Sequence, residues 1–119
     1  MAALVLRDLG LGDADALIAL YEHLNPGDAP PSPEAVRAVF GHPGLRHFGG
    51  FVDGVLVASC NQAVIPNLTR GGRAYAVIEN VVTNAACRGQ GHGQALIRHA
   101  VAQAWAAGAY KVVLTASRK

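Results

Sequence analysis

Charge, aromatic side chains and cysteine are all scarce in this sequence. Only 15% of its 119 residues are charged, 6% are aromatic and two are cysteine. Nucleic-acid surfaces usually combine basic stripes with aromatic side chains, and two cysteines form neither a disulfide framework nor a zinc site of the usual spacing. The sequence therefore predicts no nucleic-acid partner and no metal site.

Long apolar runs are absent as well. No run reaches the roughly 20 residues that a membrane-spanning helix needs, and residues 1–10 lack the pattern of a secretory signal. With 51% hydrophobic residues, the 119-residue chain can still bury one modest core. We predict one α+β domain over residues 1–119, cytoplasmic and without a membrane partner.

Acidic residues are missing from the last third of the chain. Residues 1–79 carry eight acidic side chains against five arginines, whereas residues 80–119 carry five basic side chains and no acidic one. A half with charge of one sign attracts ligands of the other sign. Beside the glycine-rich turn described below, this charge predicts a small polyphosphate ligand.

The stretch from residue 74 to residue 107 organises the rest of the chain. Residues 74–83 read AYAVIENVVT, which is β-branched and almost continuously apolar and predicts a central strand buried on both faces. Glu79 interrupts this strand. Burial would favour its neutral form and suit a general base near neutral pH. The alternative is a solvated Glu79, or one paired with an arginine.

Residues 88–93 read RGQGHG and lead from this strand into a helical pattern. Gly89, Gly91 and Gly93 remove side chains where backbone N–H groups meet the positive end of the helix. Such a turn is a cradle for phosphate oxygens, and Arg88 adds a cation beside it.

Behind the glycine turn, apolar residues recur at helical spacing. The stripe consists of Leu96, Ile97, Ala100, Val101, Ala104 and Trp105. Gly108 is expected to end this helix. Residues 111–115 then predict another buried strand, so the unit is strand, phosphate turn, helix, strand.

Two common phosphate motifs do not fit this turn. A P-loop requires Gly-Lys-Ser or Gly-Lys-Thr at its end, whereas Gly93 is followed by Gln94. A dinucleotide fingerprint requires a glycine at position 94 and an acidic residue about 20 positions further on, but no acid follows Glu79. What remains is the pattern Arg/Gln-x-x-Gly-x-Gly/Ala, which Arg88, Gly91 and Gly93 satisfy.

This pattern, directly behind IENVV at residues 78–82, resembles motif A of the GCN5-related N-acetyltransferase (GNAT) superfamily. The resemblance covers about residues 75–115 and implies an acyl-CoA N-acyltransferase-like fold, with a central, mostly antiparallel sheet flanked by helices. The family continues into a further helix and strands, so residues 1–119 would be a C-terminally short acetyl-CoA-binding domain. A helix-entry glycine turn without a ligand is the alternative.

The resemblance also implies roles for individual residues. Glu79 would accept a proton from the attacking amine, directly or through water, and no metal is implied. Acetyl-CoA would be held by Val81, Val82, Thr83, Arg88, Gly89, Gln90, Gly91, His92 and Gly93. Ser117 lies where the family often has an asparagine that touches this cofactor.

The N-terminal half supplies the predicted acceptor site. A first strand precedes two helices capped by Asp13 and Ser32, and a hairpin follows with its turn at Asp53-Gly54. In the family the first helices line the acceptor site, which makes Tyr21 and Asn25 the predicted contacts. Further candidates are Glu22, His23 and Asp28. Ordinary solvated polarity at helix ends is the alternative for each.

Two functions are consistent with these predictions. The first is an N-acetyltransferase that moves the acetyl group of acetyl-CoA to a primary amine of a small molecule or protein, as Glu79 favours. The second is a non-catalytic module for coenzyme A binding or assembly, as the short C-terminus favours. A purely structural domain is a weaker third option. A homodimer is expected, since family members commonly dimerise.

Overall fold

The computed structural model describes residues 2–115. The strands and helices, in chain order, are β1 (Leu4–Asp8), α1 (Ala14–Leu20), α2 (Pro33–Phe40), β2 (Leu45–Val52), β3 (Val55–Ile65), α3 (Thr69–Gly72), β4 (Tyr75–Thr83), α4 (His92–Ala106) and β5 (Val112–Leu114). Short 3-10 turns occupy Leu11–Asp13, Tyr21–His23 and Ala85–Cys87. α3 is a single distorted turn.

The five strands form one sheet in the order β1-β2-β3-β4-β5. Neighbouring strands are antiparallel except β4 and β5, which are parallel and joined by the crossover helix α4. A parallel pair needs such a crossover, whereas β2 and β3 need only a tight hairpin. The predicted α+β fold, with a mostly antiparallel central sheet, is confirmed.

Each face of the sheet packs against its own helices. α4 covers one face, where Phe48, Ile78 and Leu96 are fully buried. α1 covers part of the other face, where Leu17 and Leu20 are buried. Burying each such side chain stabilises the fold by about 1.5–3 kcal/mol. No helix within residues 2–115 is long and apolar enough to cross a membrane.

The predicted turns and caps have mixed outcomes. The hairpin turn is confirmed, since Asp53 and Gly54 take φ values of 50° and 78°, as its favoured turn type requires. Ser32 caps α2 by accepting a hydrogen bond from the backbone N–H of Ala35 at 3.1 Å.

The predicted cap at Asp13 is wrong. Its carboxylate accepts hydrogen bonds from the Arg7 guanidinium and from the backbone N–H of Gly10, and these bonds lower the pKa of Asp13. Asp13 is the last residue of the 3-10 turn, and its backbone dihedral angles are helical. Its side chain therefore serves the preceding turn instead of α1.

Burial on both faces was predicted for β4 and β5. It is observed for only part of β4, where Val82 is buried on the α1 side, and not for β5. In β4, Ala76 and Ile78 are buried while Glu79 is exposed. In β5, Val113 and Leu114 remain 37% and 51% exposed. Among the strands of residues 2–115, β5 is the last in the sheet and has a neighbour on one side only. Apolar composition indicated strands here, but coverage depends on which elements pack above them.

Candidate active site

A β-bulge lies at the polar interruption of β4. The register between β3 and β4 shifts between Ser59 and Asn61, so that one residue of β3 faces both Asn80 and Val81. Asn80 takes a φ of 52°, a left-handed conformation that asparagine tolerates better than most residues. Bulges beside active sites redirect side chains. Here Val81 packs towards α4, whereas the next residue, Val82, packs towards α1.

Glu79 immediately precedes this bulge. Ala76 and Ile78 point towards α4, so alternation along the strand places Glu79 on the opposite face, which also carries α1. Glu79 is exposed and has no salt bridge to any residue of 2–115. The sequence allowed a buried Glu79, a solvated Glu79 or one paired with an arginine. The structure shows the solvated carboxylate. A solvated carboxylate can still take a proton from an amine and release it to water.

Asn61 lies directly opposite Glu79 in the β3–β4 register. Side chains of directly opposed residues in an antiparallel pair are neighbours on one face of the sheet. Asn61 is partly buried and offers both a donor and an acceptor. Asn61 is not among the predicted site residues, because no local pattern identifies its distant partner.

β4 and β5 separate just before the bulge. They pair from Ala76 to Ile78 of β4, and the backbone N–H of Thr115 makes a last bond to the carbonyl of Ile78 at 3.1 Å. Within residues 2–115, no strand lies beside the rest of β4 on this side. Those backbone groups of residues 79–82 that point away from β3 are thus available to an extended ligand chain. Ser117, the predicted cofactor contact, lies outside the described residues.

The glycine turn is open on its outer side. Gly89 and Gly91 both take a φ of 81°, and a Cβ at either position would meet no atom within 4 Å. Gly91 is the N-cap of α4 and has no side chain with which to cap it. The N–H of Ala95 bonds to the carbonyl of Gly91 at 3.1 Å, so the N–H groups of residues 92–94 precede the helical ladder. Such an end binds anions.

Gly93 differs from the other two glycines. Its φ is outside the left-handed region, and a Cβ would lie 3.4 Å from the Thr83 hydroxyl oxygen, an ordinary contact. Neither backbone strain nor internal packing requires glycine there. Close approach of a ligand is a physical reason that fits. On the same turn, His92 Nε2 lies 3.2 Å from Gln90 Oε1.

Arg88 connects the glycine turn with the N-terminal half. Its Nε donates to the carbonyl of Thr83 at 3.3 Å, and its Nη2 donates to the carbonyl of His23 at 3.2 Å. The remaining N–H groups of the guanidinium stay available to an anion. His23, a candidate acceptor contact in the sequence, instead accepts through Nδ1 from the backbone N–H of Ala85.

A cleft of about 530 Å³ lies beside α1 and the Tyr21–His23 turn. Its lining residues are Ile18, Ala19, Tyr21, Glu22, Asn25, Asp28, Ala29, Pro30 and Pro31. Both predicted acceptor contacts, Tyr21 and Asn25, are among them. Burial, with a smaller contribution from Cys60, raises the pKa of Tyr21 to about 12, so its phenol stays a hydrogen-bond donor. No group of three His, Cys, Asp or Glu residues within 2–115 is arranged to hold a metal ion.

The sequence profile of the acetyltransferase (GNAT) family matches residues 14–119. The chain belongs to the GNAT family. A glucosamine 6-phosphate N-acetyltransferase of Trypanosoma brucei brucei is 35% identical over 124 residues, which cover 98% of this chain and 82% of that protein. The predicted family is thereby confirmed.

Solved structures of GNAT relatives share the fold. A protein of Agrobacterium tumefaciens to which acetyltransferase activity is attributed superposes with a TM-score of 0.88 at 43% identity, covering 96% of this chain and 82% of that chain. A Trypanosoma brucei acetyltransferase superposes with a TM-score of 0.85 at 31% identity, covering 98% and 84%. The chain is therefore an acyltransferase by family and by relatives, and GNAT acetyltransferases use acetyl-CoA.

Proposed function

We propose that this chain binds acetyl-CoA and transfers its acetyl group to a primary amine, with Glu79 as the proton acceptor. One observation carries the proposal: an exposed carboxylate lies on β4 where the strand's edge becomes unpaired, and the same strand leads into a turn with glycine at positions 89, 91 and 93 and no side-chain cap on α4. A structural domain has no need of this combination.

The residues present fit acetyl-CoA. Backbone N–H groups from Gly89 to Gly93, with the turn residues Gln90 and His92 among them, would hold the pyrophosphate, and Arg88 would add positive charge. The open edge at Val81, Val82 and Thr83 offers hydrogen bonds to the amides of the pantetheine chain. When bound, acetyl-CoA supplies an activated thioester carbonyl.

The reaction is the aminolysis of a thioester. An amine in neutral water is mostly protonated and must lose a proton before it attacks. Glu79 takes that proton, directly or through water, and Asn61 opposite it can orient the amine or the water. Backbone N–H groups at the open edge of β4 would stabilise the negative charge that develops on the carbonyl oxygen as the C–N bond forms. The C–S bond would then break, so that coenzyme A leaves as a thiolate that takes a proton from water.

The cleft beside α1 is proposed as the acceptor site. Its size suits a sugar-sized molecule, Tyr21 and Asn25 supply hydrogen bonds, and Glu22 and Asp28 attract an ammonium group. Glucosamine 6-phosphate is the first acceptor to test, because the Trypanosoma relative is named for it. Glucosamine, polyamines and peptide amines complete the panel.

We further propose that residues 1–119 form one domain that dimerises. Within residues 2–115, apolar surface is exposed at the end of α4 and along β5, at Trp105, Val113 and Leu114. Unpaired strand edges with apolar side chains favour association. Sedimentation equilibrium of the purified chain tests this. A monomer at all concentrations contradicts it.

Replacing Glu79 by Gln tests the assignment of the base. The Glu79→Gln variant should keep its affinity for acetyl-CoA, while kcat falls by about 10²–10⁴-fold. The dependence of kcat on pH should also change, because the variant has no carboxylate at this position. Glu34→Gln is the matched control, since Glu34 is an exposed carboxylate whose nearest cation is Arg37 at 3.8 Å. Unchanged kinetics in Glu79→Gln would remove Glu79 from the mechanism. A chain that binds coenzyme A but acetylates no amine would indicate the non-catalytic alternative.

A further inference from the structure

The Tyr21–His23 turn is tied to the segment after β4 through both the side chain and the backbone of His23. His23 Nδ1 accepts from the backbone N–H of Ala85 at 3.2 Å, and the His23 carbonyl accepts from Arg88 Nη2 at 3.2 Å. Because Arg88 Nε also donates to the Thr83 carbonyl at 3.3 Å, the turn is anchored to the end of β4. We call these three hydrogen bonds the His23 clamp.

The clamp joins two parts of the proposed site. On one side, the turn lines the acceptor cleft through Tyr21 and Glu22. On the other side, Ala85 and Arg88 belong to the segment that leads into the glycine turn. His23 and Ala85 are 62 positions apart along the chain, so the contact is a tertiary one that local turn geometry does not produce.

We propose that His23 is a positioning residue that couples the acceptor cleft to the cofactor turn. This inference rests on the proposed function of both sites. A short 3-10 turn has little stability of its own, so the cleft wall depends on what holds it. Any ligand that orders one side of the clamp also orders the other, and by linkage each ligand strengthens binding of the second.

A hydrogen-bond acceptor at the Nδ1 position is the feature that matters. Asn84 satisfies the N–H of Ala86 with its own side chain at 2.9 Å, which leaves the N–H of Ala85 to His23. To accept, Nδ1 must be unprotonated, with the ring proton on Nε2. An asparagine places its carbonyl oxygen close to the same position, whereas a leucine of similar size has no acceptor.

The test compares His23→Asn with His23→Leu. His23→Leu should raise the acceptor KM and weaken acetyl-CoA binding by roughly 3- to 10-fold each, as expected for the loss of one hydrogen bond, and should abolish the mutual strengthening of the two ligands. kcat should change less than KM. His23→Asn should restore all three properties.

A matched control exists elsewhere in the chain. His42 Nδ1 accepts from the backbone N–H of Gly44 at 3.2 Å, so His42→Leu removes the same kind of bond away from the site and should leave the kinetic constants unchanged. If His23→Leu matches the wild type, or if His23→Asn fails as His23→Leu does, positioning by His23 is wrong.

A second measurement separates this inference from the proposed function. The amide NMR signal of Ala85 and calorimetric titration with coenzyme A both report on the clamp without turnover. If no amine is acetylated by the wild type, the proposed function fails, but His23→Leu should still shift the Ala85 signal and weaken coenzyme A binding, and His23→Asn should reverse both. Equal behaviour of the two variants overturns the coupling.

Discussion

Gly91 offers a test in which backbone strain and ligand binding can be separated. Gly91→Ala adds one methyl group at the N-cap of α4, where φ is 81° and no protein atom lies within 4 Å of the new carbon. The folded protein therefore suffers no clash. A residue with a Cβ is strained in the left-handed backbone conformation, which lowers stability. The unfolded chain with alanine has less conformational entropy, which offsets part of this strain, so the free energy of unfolding should fall by about 1 kcal/mol.

Gly108 provides the matched control at the opposite end of the same helix. Its φ is 88°, and a Cβ there would also meet nothing within 4 Å. Gly108→Ala should thus lower the free energy of unfolding by about the same 1 kcal/mol. Urea denaturation of both variants checks that the two strains are equal.

Only Gly91→Ala should affect the cofactor. A methyl group on the outer side of the turn blocks close approach of a pyrophosphate to the N–H groups at the start of α4. A hydrogen bond to a charged group contributes about 1.5–3 kcal/mol, so the loss of one bond weakens acetyl-CoA binding by about 10- to 150-fold. Calorimetric titration with acetyl-CoA measures this loss of affinity. Equal affinities for Gly91→Ala and Gly108→Ala would show that the turn does not hold the cofactor.

Three further predictions concern other parts of the structure. Tyr21→Phe removes a phenol whose pKa is about 12, and it should raise the acceptor KM several-fold with little change in acetyl-CoA binding, as steady-state kinetics will show. Burial lowers the pKa of His47 below 6.5, so the unfolded chain binds a proton more readily than the folded chain and stability should fall as pH drops below 6.5. Thermal unfolding of the wild type and of His47→Phe at a series of pH values around 6.5 should show that the variant lacks this loss of stability. Gln62 is fully buried with its Oε1 unpartnered, so Gln62→Met should change the free energy of unfolding by less than about 1 kcal/mol; a larger loss in urea denaturation would show that its bond to the Ala100 carbonyl outweighs the unpartnered oxygen.

Local features of the fold were predictable from the sequence because short segments determine them. The Asp53-Gly54 turn, the Ser32 cap and the glycine turn at Gly91 each depend on a few consecutive residues with particular backbone preferences. The order of strand, turn, helix and strand follows from hydrophobic periodicity over slightly longer stretches. These features were sufficient to indicate the family.

Features that depend on pairing between distant segments were not predictable. Strand alternation places Glu79 on the face opposite Ile78, but its exposure depends on what covers that face of the sheet, which is not visible within residues 74–83. Asn61 gains its position only through the register of β3 against β4. His23 was a candidate for an acceptor contact, but its ring lies against Ala85, which is distant in sequence. The polar pair at positions 79 and 80 was the one local sign of the bulge.

Calorimetric titration of the purified 119-residue chain with acetyl-CoA tests the central proposal most directly, with coenzyme A and NADH as comparison ligands. The glycine turn and the open edge of β4 predict a stable complex with acetyl-CoA and with coenzyme A, and much weaker binding of NADH. A folded sample that binds neither coenzyme A species would contradict the assignment of this site to acetyl-CoA.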